Sequence, residues 1–324
     1  MQVFRHLEEV PADFGPTVLS VGNFDGVHRA HQYVLREVVR QARALQARSM
    51  TVTFEPHPLR VLHPDVAPKL ITPLEQKLSL LEASGLDAVL VLPFTRDLSL
   101  TTPKDFASVI LGKRLKAREV HEGANFHFGH KAQGDVKRLQ EYARAAGYEV
   151  KVYPEMRARG EPVSSSRIRE LLSAGHVERA RAMLGRVFSI VSVPGRGRGF
   201  GHKYTVPTIN LSRYDELVPL DGVYITRTRV NGECFDSVTN VGTRPTFGDL
   251  FAIETHLLHF HPIALTAQTR VEISFLKRVR PEIKFPTVAE LREQIARDIK
   301  QAHHYFQLLA AKSKPAARSR RKSR

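Results

Sequence analysis

Apolar positions along the chain follow two rhythms, and the rhythm changes once, near Gly185. Up to that point strand-like and helix-like runs alternate. TVLSVGNF (17–24), SMTVTF (49–54), DAVLVLPF (87–94), REVHEG (118–123) and YEVKVYP (148–154) read as strands. Between them Arg29 to Ala47, Leu74 to Ala83, the run through Phe106, Val109, Ile110 and Leu115, and residues 135–146 carry apolar residues at helical spacing. Thr102-Pro103 supplies an N-cap followed by proline at the first helical position. Alternation of this kind predicts a parallel sheet covered by helices on both faces. In such sheets ligands bind beyond the carboxyl ends of the strands, so the loops after Phe24, Phe54 and Gly123 are expected to lie together.

Two helical runs, Arg167–Ser173 and Val177–Leu184, close the first half. Beyond them RVFSIVSV, GVYITRTRV, FDSVTNVG, AIETHLLHF and TRVEISFL are β-rich runs separated by Gly, Pro and Asn turns, with no helical run between them. This predicts an antiparallel barrel or sandwich. Thr287 to Leu309 reads as one amphipathic helix, and Thr287-Val-Ala-Glu290 has the form of a capping box.

Composition changes this picture little. The 324 residues are 42% hydrophobic, enough for ordinary cores, and the length suits two domains. No apolar run approaches the roughly 20 residues of a membrane helix. The start, MQVFRHLEEVP, lacks a basic segment leading into a long apolar run, so no secretory leader is expected. A single cysteine, Cys234, excludes an intrachain disulfide and a cysteine-rich zinc site. Net charge is +16, but seven basic residues and no acid fall in the tail Lys312 to Arg324. A tail of that composition is expected to be disordered; it is either a solvated end or a loose contact for nucleic acid or acidic membrane.

The most informative segment is VGNFDGVHRAH (21–31). A strand ends, a glycine turn follows, and His28 and His31 stand three apart at the start of a helix, on one face of its first turn. Imidazole donors and free backbone N–H groups there suit an anion, and phosphoryl transfer needs such donors more than it needs a base. The plainer alternative is a pair of surface histidines on an amphipathic helix. No third ligand stands nearby, so zinc is not implied.

The segment resembles the His-x-x-His signature of the nucleotidylyltransferases. In the form Gly-Asn-Phe-Asp-Gly-Val-His it resembles the adenylyltransferase half of bacterial bifunctional riboflavin kinase/FAD synthetases. VTFEPHP (52–58), GANFHFG (123–129) and VSSSRIRELLSAGHVERARAMLGR (163–186) resemble further blocks of that family in the same order. The resemblance implies that His28 and His31 act at the α-phosphate and that Gly22, Phe24, Asp25 and Gly26 form the nucleotide turn. It implies that Ser164, Ser165 and Arg169 hold ATP phosphates. Phe54, Pro56, Pro58, Asn125 and Phe128 would receive the flavin, although core packing is the other account of Phe54 and Phe128. Ala30 and Ser166 replace a usual glycine and threonine.

In the second half PGRGRGFGHKYTVPTIN (194–210) is rich in glycine and basic residues, a composition that suits polyphosphate or simply makes a flexible basic loop. Pro207-Thr208-Ile209-Asn210 resembles the Pro-Thr-Ala-Asn signature of riboflavin kinases. The resemblance implies kinase ATP binding by Gly199, Gly201, His202, Lys203, Thr208 and Asn210, with Thr208 and Asn210 also holding Mg²⁺. Glu254 would be the base on the ribityl 5′-hydroxyl; a solvent-facing strand glutamate is the alternative, and alternation does not say which face lines a site. The half departs from the family pattern at Tyr204-Thr205-Val206, at His259 and over Ile263 to Gln268.

The expected architecture is therefore a Rossmann-like α/β nucleotidylyltransferase domain with a parallel sheet (1–186). An antiparallel β-barrel riboflavin-kinase domain with a C-terminal helix follows (187–311), and then a basic tail (312–324). The expected function is phosphorylation of riboflavin to FMN and adenylyl transfer from ATP to FMN, in the cytoplasm. ATP, riboflavin and FMN are the expected partners, with Mg²⁺, no obligate protein partner and no membrane. The alternatives are an FMN adenylyltransferase with a C-terminal binding module, or a nucleic-acid-binding protein.

Overall fold

The computed structural model describes residues 1–195, 208–212, 214–244, 250–261 and 263–313. The chain divides into two compact units, Met1–Glu170 with Ala182–Arg186, and Leu171–Arg181 with Val187–Arg324.

The first unit is built on strands β1 (Gln2–Phe4), β2 (Thr17–Val21), β3 (Arg48–Glu55), β4 (Ala88–Pro93), β5 (Ala117–Gly123) and β6 (Glu149–Tyr153). Every pairing is parallel, in the order β1-β4-β3-β2-β5-β6. The main helices are α1 (Arg29–Ala44), α2 (Leu74–Glu82) and α3 (Val136–Ala146). Alternate strand residues feed two cores. Leu19, Val21, Met50, Val52, Leu90 and Leu92 pack with Phe106, Leu111 and Leu139 on one face. Val18, Val89 and Val91 pack with Leu35, Val38 and Leu81 on the other. Each such side chain contributes about 1.5–3 kcal/mol by leaving water. Local signals end the helices as expected: Asp135 accepts the Arg138 N–H at 2.9 Å, and Gly147 closes α3 in the left-handed region at φ 80°.

Two details differ from the pattern reading. Gln2–Phe4 forms an edge strand on β4, too short to show a period in the sequence. The helix after Thr102, capped as expected through the Asp105 N–H at 3.1 Å, widens to a π-helix over Phe106–Arg114.

The second unit holds α4 (Ser165–Ser173) from Leu171 onward and α5 (Val177–Leu184) up to Arg181. Its sheet comprises β7 (Phe188–Ser192), β8 (Thr208–Asn210), β9 (Gly222–Val230), β10 (Glu233–Arg244), β11 (Leu250–Leu257) and β12 (Val271–Arg280). All pairings are antiparallel, in the order β7-β12-β9-β10-β11-β8. The sheet curls until its edges meet: Pro194 bridges Leu211, and Ser212 N–H donates to the Val193 carbonyl at 2.9 Å. Of the barrel or sandwich that the β-rich runs allowed, it is the barrel that forms, as the family resemblance implies. Its inner face buries Phe188, Ile190, Tyr224, Ile253, Ile273 and Phe275. Helix α6 (Val288–Ser313) lays Ala302 and Phe306 against Ile225, Val238 and Leu276 on the outer face. Its capping box forms, with Glu290 N–H donating to Thr287 Oγ1 at 3.2 Å. Among the described residues no helix is long and apolar enough to cross a membrane.

Candidate active sites

Strands β3, β2 and β5 are neighbours, so the loops after Phe54, Phe24 and Gly123 leave the same edge of the sheet. Chain order reverses between β2 and β5, which is where an open α/β sheet forms its ligand crevice.

The turn after β2 is held in uncommon backbone. Phe24 (φ 48°), Gly26 (φ 83°) and Val27 (φ 36°) all lie in the left-handed region, which a β-branched valine rarely enters. Glycine enters that region freely, but Phe24 and Val27 each cost of order 1–3 kcal/mol there and persist only where their surroundings over-determine them. Here they do. The buried Asp25 carboxylate accepts the N–H groups of Ile71 and Thr72 through Oδ1, both at 3.0 Å, and pairs with the Arg169 guanidinium at 2.6 Å. Gly26 N–H donates to Thr72 Oγ1 at 2.9 Å, and Ser165 Oγ donates to the Asp25 carbonyl at 2.8 Å. Arg169 also donates through Nε to the Lys69 carbonyl at 3.0 Å. Ser164 Oγ accepts the Arg167 N–H at the start of α4.

His28 and His31 come together as their spacing predicts. His28 is the N-cap of α1, and its Nδ1 accepts the His31 N–H at 3.4 Å. The two rings stack with centroids 3.6 Å apart and planes 16° apart, and the Phe24 ring meets His31 edge-on at 5.0 Å. Acceptance at Nδ1 assigns the His28 proton to Nε2. Burial, opposed in part by Asp25, pushes the His28 pKa down to about 4. Burial, then His28 and Lys77, hold His31 well below the usual histidine range. Both rings are therefore neutral N–H donors near pH 7. His31 Nδ1 is buried and has no hydrogen-bond partner.

The flavin-side candidates divide. Phe54 is half-buried against Phe94, Pro56 is exposed, and Pro58 opens a helical turn whose N-cap is His57. Asn125 is exposed on the loop after β5. Phe128 is buried in the core beside Phe106, with the half-buried Phe126 stacked on it at 5.4 Å.

Four residues escaped the sequence reading. Lys77 is buried under the turn, His57 has its pKa pushed down to about 4 by burial, and Arg186 donates to the Val27 carbonyl at 3.4 Å. Glu122 accepts the Val21 N–H at 2.6 Å, and burial raises its pKa well above the carboxylate range. Only Lys77 left a signal: a charge at a core-facing position among Leu74, Leu78 and Leu81.

In the second unit strand register answers what alternation left open. Asn210 lies opposite Glu254, and Glu254 lies opposite Asn240; Thr208 lies opposite His256. Thr208, Asn210 and Glu254 therefore share one face, the outer one that carries Val238, and all three are half-buried. Gly199, Gly201, His202, Lys203 and Tyr204 to Val206 lie outside the described residues, as does the tail from Lys314.

Residues 10–167 match the family described as FAD synthetase, and residues 184–306 the one described as riboflavin kinase. Over 302 residues the chain is 33% identical to the bifunctional riboflavin kinase/FMN adenylyltransferase of Escherichia coli K12, covering 92% of this chain and 94% of that one. The chain belongs to the bifunctional riboflavin kinase/FMN adenylyltransferase family. Relatives of the same name from Bacillus subtilis (33% identical, 90% of this chain and 92% of that one) and Haemophilus influenzae (31%, 94% and 99%) agree. The family resemblance of the motifs is thus borne out. A solved structure titled macrolide-efflux protein from Streptococcus pneumoniae has a TM-score of 0.83 over 93% of this chain and 98% of its own. At 24% identity that likeness speaks for the fold alone.

Proposed function

We infer that the chain performs both reactions of its family: the second unit transfers the γ-phosphoryl group of ATP to riboflavin, and the first transfers AMP from a second ATP to FMN, releasing pyrophosphate. Matches to both family models, across nearly the whole chain, argue against an adenylyltransferase with an inert second half.

For adenylyl transfer the carrying observation is the stacked His28–His31 pair with its open, buried Nδ1 at the head of α1. Attack by an FMN phosphate oxygen on the α-phosphorus of ATP needs no covalent enzyme intermediate. It needs alignment and donors where charge gathers. Neutral imidazole N–H groups and the α1 N-terminus supply donors, and the strained turn Gly22 to Gly26 keeps them in place. Ser164, Ser165 and Arg169 tie that turn to α4 and border the phosphates. Phe54, Pro56, Pro58 and Asn125 form the flavin side, with Phe128 backing Phe126.

For riboflavin phosphorylation Glu254 accepts the proton of the ribityl 5′-hydroxyl, and the loop bearing Gly199, Gly201, His202 and Lys203 takes ATP. Thr208 and Asn210 fit Mg²⁺, since a hydroxyl and an amide oxygen on the same face as a carboxylate are hard oxygen donors. Bound there, the ion would neutralise phosphate charge. The setting is cytoplasmic, where ATP is plentiful, and the basic tail offers at most a weak, salt-sensitive contact to nucleic acid.

Riboflavin, ATP and Mg²⁺ incubated with the chain and separated by chromatography should yield FMN and then FAD. Absence of both products refutes the reading.

A further inference from the structure

Lys77 is a charge in the wrong place for a structural residue. It lies on the α2 face turned to the sheet and is 5% exposed. Its Nζ donates to Thr53 Oγ1 at 3.1 Å and to the Asn23 carbonyl at 3.3 Å. Both partners are neutral, and an ammonium carries a third proton. Among the described residues no carboxylate stands within ion-pair distance of it. Asp25 and Glu55 act on it only at longer range, and Asp25 is already engaged by Arg169 and two backbone N–H groups. A buried cation without a counter-ion is costly and invites completion by an anion.

Two observations locate that anion. The Lys77 charge is close enough to His31 to depress its protonation, and His31 Nδ1 is buried and unpartnered. The Asn23 carbonyl that Lys77 holds belongs to the strained turn ahead of His28. Lys77 and the histidine pair therefore border the same turn, Lys77 through the Asn23 carbonyl and the histidines at its far end.

We propose that Lys77 is a phosphate-binding residue of the adenylyl-transfer site, its charge balanced by the ATP triphosphate and, after reaction, by pyrophosphate. This rests on reading His28 and His31 as that site. In the step, the bond from the α-phosphorus to its bridging oxygen breaks while the bond to the FMN phosphate oxygen forms. The electron pair leaves with pyrophosphate, whose growing charge Lys77 meets with its remaining proton.

The test runs the reaction backwards, from FAD and inorganic pyrophosphate to FMN and ATP, on the full chain. Lys77→Gln keeps an N–H donor for Thr53 and Asn23 but removes the charge; Thr53→Val removes a neutral partner and keeps the charge. The expected result is a KM for pyrophosphate raised at least about tenfold in Lys77→Gln and less than about threefold in Thr53→Val. Riboflavin phosphorylation, measured on the same samples, should be unchanged and reports the second unit, while thermal unfolding followed by circular dichroism reports the fold of the first. A KM within twofold of wild type in Lys77→Gln overturns the proposal, as does equal damage in both variants, which marks a mere clamp. His31→Ala separates the two claims: if it leaves FAD synthesis intact, the site reading fails first. Should Lys77→Gln not fold, lysine ¹³Cε NMR of the wild-type chain decides. The resonance with the depressed pKa should move to the ordinary lysine range on saturation with pyrophosphate, and an unmoved resonance overturns the proposal.

Discussion

Asn210 and Glu254 stand directly opposite each other on antiparallel strands β8 and β11, with Asn240 completing the row on β10. Directly opposed residues share a face with Cβ atoms about 4.5–5.5 Å apart. This one register makes a single cluster of residues that are 44 positions apart in the chain. The sequence alternation allowed Glu254 either face; pairing leaves it one.

Replacing Glu254 by Gln keeps the shape and removes the base. Riboflavin phosphorylation should fall by roughly 100-fold or more, the usual worth of a positioned base. FAD formation from supplied FMN should stay at the wild-type rate. Separate assays with riboflavin and with FMN check this, and an undiminished kinase rate would remove Glu254 from the mechanism.

His31→Ala should give the opposite dissection. Loss of one fixed donor at a reacting phosphoryl group costs about 10²–10³ in rate by analogy with other charge-stabilising sites. FAD formation from FMN should drop by that factor, with FMN formation from riboflavin unaffected. A His31→Ala enzyme that adenylylates FMN normally would reduce the stacked pair to a helix cap.

The buried histidines also set a stability window. His28 and His57 have folded pKa values lowered from 6.5 to about 4. Between those values the unfolded chain binds more protons than the folded one, so stability rises with pH and is lost as pH falls from 6.5 toward 4. Glu122, with its raised pKa, acts in the opposite sense, so the histidine share must be read as a difference. His57→Asn keeps an N-cap for the turn at Pro58–Leu62 and removes one titration. Its melting temperature should decline less steeply over that pH range than the wild type's; parallel curves would mean His57 does not titrate there.

Much of this was legible in advance because it is local. Strand and helix periods, the Thr102 and Thr287 caps and the His28–His31 spacing are all encoded within a few residues of one another. What escaped depends on distant partners. Gln2–Phe4 is a strand only because β4 offers it an edge. Lys77 matters because Thr53 and Asn23 face it, and Phe128 is a core residue because Gly134 and Phe106 close around it; a Cβ on Gly134 would lie 2.7 Å from its ring. The family resemblance puts Asp25 in the nucleotide turn but does not give the means by which it acts there: its carboxylate holds the turn's shape through Ile71, Thr72 and Arg169, partners far away in the chain.

That hold on the turn is measurable. Asp25→Ala would strand the Arg169 guanidinium, whose side chain is 17% exposed, and free the Ile71 and Thr72 N–H groups. Removing one partner of a buried pair costs about 3–5 kcal/mol. The left-handed residues Phe24 and Val27 would then relax. Urea unfolding should show a loss of that order, and FAD formation should fall while riboflavin phosphorylation persists. A variant as stable as wild type would show that the turn holds itself.

Inside the barrel five buried hydroxyl groups close a ring: Thr226 to Ser237 (2.8 Å), Ser237 to Thr228 (2.8 Å), Thr228 to Thr255 (3.1 Å), Thr255 to Thr239 (2.8 Å) and Thr239 back to Thr226 (2.7 Å). Each hydroxyl can donate once and accept once, so the cycle satisfies itself without water. Such a ring stands or falls as a unit, because opening it leaves one donor and one acceptor stranded in a dry interior. Thr239→Val, nearly the same in volume, should therefore destabilise the chain by about 1–3 kcal/mol per group left unpaired. Adding Thr226→Val and Thr255→Val only moves the stranded donor and acceptor on to Ser237 and Thr228, so the triple variant should lose little more than the single one rather than the sum of three separate losses. Chemical denaturation of the single and triple variants, followed by kinase activity as a probe of the second unit, measures the coupling. Strictly additive losses would show that the five hydroxyls act as independent pairs.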